Sequence, residues 1–89
     1  MNARDTTYEG WKNRATWNVA LFINNDYGLY MAAREFMRQY KGRKPYSDFV
    51  RRAGLTNART MDNFKFNGSR LCYRELNSMM RELVEDLGQ

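Results

Sequence analysis

Apolar residues recur at helical spacing along most of this chain, and four segments have the pattern of a helix. The second segment is the clearest, because it is apolar at positions i, i+4, i+7, i+8 and i+11: Leu29, Ala33, Phe36, Met37 and Tyr40. Asp26 before this segment is a natural N-cap, and Gly42 after it is a natural C′ residue. The pattern predicts one amphipathic helix between these two residues.

The preceding segment fits two structures. Its apolar residues alternate as in a strand but also cluster at helical spacing: Trp17, Val19, Ala20, Leu21 and Ile23. We predict a helix over residues 14–24, capped by Asn13, because apolar residues on nearly every side suit a central buried helix. Trp17 and Phe22 are then expected to pack in the core. The polar residues in or beside this helix are expected to cap helices or to form buried hydrogen bonds: Asn18, Asn24, Asn25 and Asp26.

Two further helices are predicted in the second half of the chain. Pro45 and Gly54 bracket a short helix over residues 46–53, since proline favours a helix start and glycine a helix end. A longer helix is predicted over residues 73–87 and ends at Gly88. Its apolar face is formed by Leu76, Met80, Leu83 and Leu87.

The remaining segments predict one hairpin and one arm. Asn67 and Gly68 follow alternating residues, and an Asn-Gly pair in that setting indicates a short β-hairpin near residues 64–71. Residues 1–10 are polar and aperiodic, which predicts a flexible N-terminal arm. The predicted fold is therefore all-α, a compact bundle of about four helices that forms a single domain over residues 11–89.

Positive charge is concentrated in the middle of the chain. The net charge of the 89 residues is +5, and residues 34–59 hold eight basic residues against two acidic ones. Arg34, Arg38 and Lys41 fall at i, i+4 and i+7, on the helix face opposite the apolar one. If the second and third helices are adjacent, further basic residues extend this stripe into one positive surface: Arg43, Lys44, Arg51 and Arg52.

This surface has three interpretations. It suits the phosphates of a nucleic acid or an acidic protein surface, and it also fits ordinary solvated charge on two helices. No helix-turn-helix, zinc-finger or RNP motif favours nucleic acid. Aromatic residues beside arginine are typical of binding hot spots, and the least committed to a core are Trp11, Tyr27, Tyr30 and Tyr46. We therefore predict a partner-binding surface formed by the basic residues together with Trp11, Tyr27 and Tyr46.

The chain has few residues suited to catalysis. It contains no histidine, the usual general base near pH 7, and Cys72 is its one cysteine, which excludes an intrachain disulfide and a site of paired thiolates. Glu82, Glu85 and Asp86 lie close in sequence, but they fit the solvated face of the fourth helix. The sequence predicts a protein that is not an enzyme and that needs no cofactor or metal.

The sequence gives no sign of export or membrane insertion. Residues 1–20 lack the basic start and apolar run of a secretory signal. No stretch approaches the roughly 18 apolar residues that cross a bilayer. We expect a soluble cytoplasmic protein without a membrane partner.

The run from Trp11 to Tyr30 resembles the opening of a family of small proteins found in phages and bacteria. Its recurring form is N-x-x-T-W-N-V-A-L-x-I-x-N-D-x-G-L-Y, which this chain matches at Asn13, Thr16, Trp17, Asn18, Val19, Ala20, Leu21, Ile23, Asn25, Asp26, Gly28, Leu29 and Tyr30. The match covers about a quarter of the chain. The resemblance implies a small phage-type accessory protein and brings no catalytic residue or cofactor.

Compact proteins of that type often occlude or remodel a host machine, defence nucleases included. The resemblance therefore implies a stoichiometric binding module that contacts a host protein or protein–nucleic-acid complex, such as a CRISPR or restriction complex. Direct binding of nucleic acid through the basic helical face is the alternative, and an enzyme is the third class. The sequence leaves the oligomeric state open.

Overall fold

A computed structural model of the protein describes residues 8–85, and within them the chain forms four α-helices. These are α1 (Arg14–Asn25), α2 (Tyr27–Gln39), α3 (Pro45–Arg52) and α4 (Tyr73–Glu85). The predicted all-α bundle is confirmed, and each helix begins within about two residues of its predicted start. The predicted helix end at Leu87 and Gly88 lies outside the described residues, as does most of the predicted N-terminal arm.

Two side-chain caps set the boundary between α1 and α2. Asn13 caps α1 by accepting a hydrogen bond from the Thr16 N–H at 2.9 Å, and Asp26 caps α2 by accepting one from the Leu29 N–H at 2.9 Å. Asp26 also ends α1, since its own N–H donates to the Phe22 carbonyl. One residue thus separates the two helices, and both predicted caps are confirmed.

The end of α2 differs from the prediction at Gly42. The helix stops at Gln39, and Tyr40 follows as an extended C-cap, so Gly42 is not its C′ residue. Gly42 instead makes room for the Tyr40 ring. A Cβ built at position 42 would lie 2.3 Å from the Tyr40 hydroxyl oxygen, which is closer than real Cβ atoms come. Glycine is needed here for close packing.

The core is centred on α4, which contributes four buried apolar side chains and, like α2, contacts each of the other three helices. Leu76 and Met80 of α4 are fully buried, as are Val19 and Ile23 of α1. The prediction of α1 as the central helix was therefore wrong. Its Leu21 is 40% exposed, because α1 lies at the side of the bundle and buries only the face that meets α2 and α4.

The aromatic residues of α1 lie at the edge of the core. Phe22 is half-buried and packs edge-on against Phe66, with 5.7 Å between ring centroids. Trp17 is also half-buried, and its ring lies 4.9 Å from that of Tyr8. Tyr8 and Trp11 exchange backbone hydrogen bonds around a tight turn, in which Gly10 has a positive φ of 89°. Residues 8–10, which the sequence places in the flexible arm, form this turn.

The segment between α3 and α4 contains a hairpin-like turn, but not at the predicted place. An isolated antiparallel bridge joins Arg59 to Lys65, and the Thr60 N–H donates to the Phe64 carbonyl at 2.8 Å. The reversal therefore occurs at residues 61–63, whereas Asn67 and Gly68 form a separate simple turn. A positive φ of 74° at Asn63 lets the chain reverse earlier than the Asn-Gly signal predicts.

Candidate binding surfaces

One solvent-facing side of α2 combines aromatic, apolar and basic side chains. We call it the α2 surface and define it by Tyr27, Tyr30, Met31, Arg34 and Arg38. Tyr27 lies three and four residues before Tyr30 and Met31, these lie four and three residues before Arg34, and Arg38 follows four residues later, so the set lies along a single helix face. Tyr27 is 78% exposed and Met31 is 41% exposed, although both carry large apolar groups.

Two contacts fix the basic side chains of the α2 surface. The Arg34 guanidinium carbon lies 5.3 Å from the centre of the Tyr30 ring, and its Nη1 donates a long hydrogen bond of 3.5 Å to the Tyr30 hydroxyl. Arg38 lies 3.8 Å from Glu35, one turn away on the exposed side of the helix. Arg34 is thus held against an aromatic ring, while an acidic neighbour offsets part of the charge of Arg38.

A groove opens where α2 ends beside α3. It is lined by Lys41 and Arg52 at its sides, by Phe36 and Tyr40, and by Glu35, Gln39 and Gly42. The rings of Phe36 and Tyr40 stack with 5.0 Å between their centroids. The structure therefore brings Lys41 and Arg52 to one groove, as the sequence predicts, but Glu35 lines the same groove.

Tyr40 and Asp48 form the polar link between the two helices at this groove. The Tyr40 hydroxyl donates to the Asp48 carboxylate and accepts a 2.9 Å hydrogen bond from the Lys44 N–H. The Tyr40 hydrogen bond, followed by the contact with Arg51, lowers the pKa of Asp48 below its usual range. Burial and the Asp48 hydrogen bond raise the pKa of Tyr40. Asp48 therefore stays ionised and neutralises part of the positive charge of α3.

The other predicted basic residues contribute less to a common surface. Arg51 pairs with Asp48, and Arg43 and Lys44 lie exposed in the turn before α3. The Arg43 carbonyl accepts a 3.4 Å hydrogen bond from Arg81 of α4. The basic residues of segment 34–59, which has a net charge of +6, therefore do not form one surface. Those of α2, α3 and the turn between them divide between the α2 surface and the α2–α3 groove.

Tyr46 is not a surface residue, and its prediction as a partner-binding residue was wrong. Its side chain is fully buried, and its hydroxyl donates a 2.6 Å hydrogen bond to the Phe66 carbonyl. Pro45 begins α3, which turns the next residue inward, and the Tyr46 N–H donates to Asn77 of α4. Burial raises the pKa of Tyr46 far above its usual range, so the ring stays neutral and serves the core.

Trp11 is half-buried and packs against the core at the start of the described chain. It lines a shallow cavity beside α4, together with Arg74, Ser78 and Glu82. Positive and negative side chains both line this cavity, so it offers no single sign of charge to a ligand. Trp11 is therefore separate from the α2 surface, with which the sequence grouped it.

A third surface was missed by the sequence analysis. Arg59, Lys65 and Arg70 line one cavity of about 260 Å³ together with Phe64 and neighbouring residues. The Arg14 guanidinium carbon lies over the same Phe64 ring, 5.5 Å from its centre. We call this surface the Phe64 cradle and define it by Arg14, Arg59, Phe64, Lys65 and Arg70. None of the described residues that line its cavity is acidic.

Hydrogen bonds from the motif residues of α1 hold the segment that carries the cradle. Buried Asn18 donates to Asp62 at 2.6 Å and accepts from the Thr60 hydroxyl at 2.6 Å. Two further side chains bind the same segment: Asn13 donates to the Arg70 carbonyl at 2.8 Å, and Thr16 accepts from the Cys72 N–H at 2.9 Å. The predicted buried hydrogen bonding of Asn18 is confirmed, and we call the set formed by Asn13, Thr16 and Asn18 the polar clasp.

A family of unknown function, DUF7249, matches residues 4–86 of the chain. The chain belongs to this family. The DUF7249 match includes all four helices, the polar clasp and every residue of the three surfaces. No curated protein and no solved structure matches the chain. The DUF7249 assignment therefore carries no activity, and function must be inferred from the surfaces themselves.

Residues 8–85 contain neither a membrane-spanning helix nor a cluster of metal ligands. None of the helices in that range is long and apolar enough to cross a membrane. In the same range, no three histidine, cysteine, aspartate or glutamate side chains cluster as metal ligands would.

Proposed function

We propose that this protein is a stoichiometric protein-binding module that contacts its partner through the α2 surface. The observation that carries the proposal is the exposure of Tyr27 and Met31 on a helix face that also presents Arg34. Large apolar side chains are unfavourable in water, so a partner that buries them gains the hydrophobic free energy of their burial. Tyrosine and arginine are also the residue types enriched in binding hot spots.

The geometry of Arg34 favours binding for a second reason. Contact with the Tyr30 ring restricts the guanidinium before any partner arrives. Less side-chain entropy is then lost on complex formation, where each immobilised flexible side chain costs about 0.5–1.5 kcal/mol. An acidic partner surface would complete the contact, because Arg34 and Arg38 present their charge beside the apolar residues.

The proposal includes the biological setting implied by the family resemblance. We place the protein in the cytoplasm of a host cell as a phage-type accessory protein that acts without catalysis. Its partner would be a host protein or protein–nucleic-acid complex, and the resemblance favours inhibition of a defence machine such as a CRISPR or restriction complex. Occupation of a surface requires only a rigid helix face, which a domain of this size provides.

Affinity capture from a host lysate with two charge-matched variants tests the proposal. The α2 variant carries Arg34→Glu, Arg38→Glu and Lys41→Glu, and the control carries Arg59→Glu, Lys65→Glu and Arg70→Glu. Both change the net charge from +5 to −1. We expect the wild type and the control to retain one protein that the α2 variant loses, and titration of that purified protein to give a fixed stoichiometry. Equal retention by the α2 variant would contradict the proposal.

A second change separates apolar contact from charge. Replacing Tyr27 by serine removes the most exposed aromatic ring without altering charge. We expect the affinity for the captured partner to fall by roughly tenfold or more, the scale of a hot-spot residue. Circular dichroism should show an unchanged fold, since the ring makes little contact with the protein.

Direct nucleic-acid binding is the second candidate function, and the Phe64 cradle is the observation that favours it. The cradle presents cationic side chains around an aromatic ring without an acidic neighbour in its lining. The α2 surface and the α2–α3 groove both contain Glu35 beside their basic residues.

A further inference from the structure

We propose that the Phe64 cradle is a binding site for single-stranded nucleic acid. In this site Arg59, Lys65 and Arg70 contact backbone phosphates, and one base packs against Phe64 and the guanidinium of Arg14. The site goes beyond the proposed protein contact and shares no residue with the α2 surface. It makes the second candidate function specific, because it names the residues and the form of nucleic acid.

The charge of the cradle is the first argument. Three basic residues of the loop before α4 line one cavity, and Arg14 from the start of α1 lies over the Phe64 ring of that cavity. Asp62, the acidic residue of the loop between α3 and α4, has its carboxylate engaged by the Asn18 amide at 2.6 Å. A concave surface with one sign of charge focuses the field and attracts phosphate groups.

The shape of the cradle favours a single strand over a duplex. The cavity holds about 260 Å³ and has Ala15, Phe64 and Leu71 in its apolar lining. That volume suits one nucleotide, whereas a duplex keeps its bases stacked inside and presents only its backbone to so small a concavity. Single-strand sites typically combine a positive groove with an aromatic side chain on which a base stacks. An arginine plane serves the same purpose beside the ring.

The cradle is also held in place before binding. Arg59 Nη1 donates a 2.9 Å hydrogen bond to the Asn63 carbonyl, and the Arg59 and Lys65 backbones pair across the turn. Arg14 is restricted by its position over the Phe64 ring. Restriction of these flexible side chains lowers the entropy lost when phosphates bind. Scattered solvated charges would lack such contacts.

Fluorescence anisotropy with a labelled oligothymidylate of about twelve nucleotides tests the site. We expect the full-length protein to bind it at low salt, with a slope of log K against log salt near −2, the value for about three phosphates on a single strand. The variant with Arg59→Glu, Lys65→Glu and Arg70→Glu should lose at least about tenfold in affinity. The α2 variant with Arg34→Glu, Arg38→Glu and Lys41→Glu should bind within a factor of about three, although both variants have the same net charge.

The pattern of loss decides between specific binding and general charge attraction. Equal losses in the two variants would overturn the site, since net charge alone would then explain the binding. Tighter binding of a duplex of the same length would overturn the single-strand assignment. Displacement of the oligonucleotide by polyglutamate at equal charge would show an acidic-protein site instead. Retention of the captured protein by the α2 variant, with oligonucleotide binding lost only in the variant with Arg59→Glu, Lys65→Glu and Arg70→Glu, would refute only the protein contact, so the two proposals fail separately.

Two further measurements protect the test from folding effects. Arg70→Glu alone changes an exposed residue and should still weaken binding measurably. Phe64→Leu keeps apolar volume at the core edge but removes the ring, and it should weaken binding by on the order of tenfold, because stacking depends on the aromatic face. Amide chemical-shift changes on adding the oligonucleotide should concentrate at residues 59–71 and at Arg14. Changes confined to α2 would overturn the site.

Discussion

The α2 surface and the Phe64 cradle are both basic and aromatic, but they are built in different ways. The α2 surface lies on one helix, and its side chains are neighbours because they are three or four residues apart. The cradle joins the start of α1 to a loop more than 40 residues later in the chain, and the polar clasp holds that loop in place. The α2 surface therefore depends on helix α2 alone, whereas the cradle depends on tertiary hydrogen bonds.

This difference gives the two surfaces different mechanical properties. A surface on one helix keeps its geometry as long as the helix stays folded and docked. A surface on a loop can be lost by local opening while the helices remain intact, because loops open at lower free energy than the core. Mutations should therefore be able to damage either surface without the other.

The largest effect is expected where the cradle loop enters the core. Phe66 is almost fully buried, and its replacement by alanine should lower the free energy of unfolding by about 3–5 kcal/mol, because a cavity forms beside Phe22. Both surfaces should then be lost together in one cooperative transition. Urea denaturation measures the change, with Leu21→Ala as the control at less than about 0.5 kcal/mol. A control as costly as Phe66→Ala would contradict the exposed position of Leu21.

A smaller and more local effect is expected in the polar clasp. Asn18→Ala removes both side-chain hydrogen bonds of Asn18 and leaves the Thr60 hydroxyl and Asp62 without that partner. The expected cost is about 1–3 kcal/mol, the range for buried polar groups that lose their partners. Amide exchange should accelerate at residues 60–64 while α2 stays protected. The matched control is Asn24→Ala, since Asn24 is exposed and its amide contacts only the Met79 sulfur.

Exchange that rises equally in α2 would show that the clasp supports the whole bundle. It would also remove the proposed difference between the two surfaces. If the oligonucleotide affinity falls in Asn18→Ala while partner capture is unchanged, the clasp supports the cradle and not the α2 surface.

Local pattern predicted most of the fold. Helix periodicity and the caps at Asn13 and Asp26 gave the helix starts, because these signals act within one turn of the residue that carries them. The errors concern tertiary position. Leu21 belongs to an apolar helix but faces solvent, since α4 and not α1 occupies the centre. Tyr46 follows a basic run but is buried, because the start of α3 docks on Asn77.

The same contrast between local sequence pattern and tertiary position applies to the candidate sites. The i, i+4 spacing of Arg34 and Arg38 was enough to predict the α2 surface. The cradle could not be predicted, because its basic residues lie five or six positions apart in a loop, where no period relates them. A weak signal did exist in Asn18, whose polar side chain on an apolar helix needed a buried partner. It did not identify Thr60 and Asp62 as that partner.

A third prediction concerns the end of α2, where Gly42 packs against Tyr40 at the α2–α3 groove. Gly42→Ala places a Cβ within 2.3 Å of the Tyr40 hydroxyl, so the ring must move away from Asp48 and the Lys44 N–H. We expect a loss of about 1 kcal/mol, the net value of the hydrogen bonds disturbed. Thermal unfolding measures it, and oligonucleotide binding at the cradle should not change. Gly28→Ala is the control, since its Cβ meets nothing closer than Asp26 at 3.4 Å.

In that control, alanine inside α2 should raise stability by up to about 1 kcal/mol through helix propensity. A loss of stability in Gly42→Ala together with a gain in Gly28→Ala would confirm that packing against Tyr40 requires glycine at position 42. Equal stabilisation would show that the Tyr40 ring moves aside without cost.

The smallest effect concerns the titration of Asp48. The hydrogen bond from Tyr40 is the main cause of its lowered pKa, so Tyr40→Phe should bring the Asp48 pKa back toward the ordinary value. Because the folded pKa lies below the unfolded one, Asp48 stabilises the fold above its unfolded pKa, and this contribution is lost as pH falls through the folded pKa. Carbon-detected NMR titration of the carboxyl group should show the shift, with a smaller one in Arg51→Gln. Acid should therefore weaken the Tyr40–Asp48 link at the α2–α3 groove only when the pH falls below the usual range of an aspartate carboxyl. An Asp48 pKa that is identical in wild type and Tyr40→Phe would exclude this link between α2 and α3.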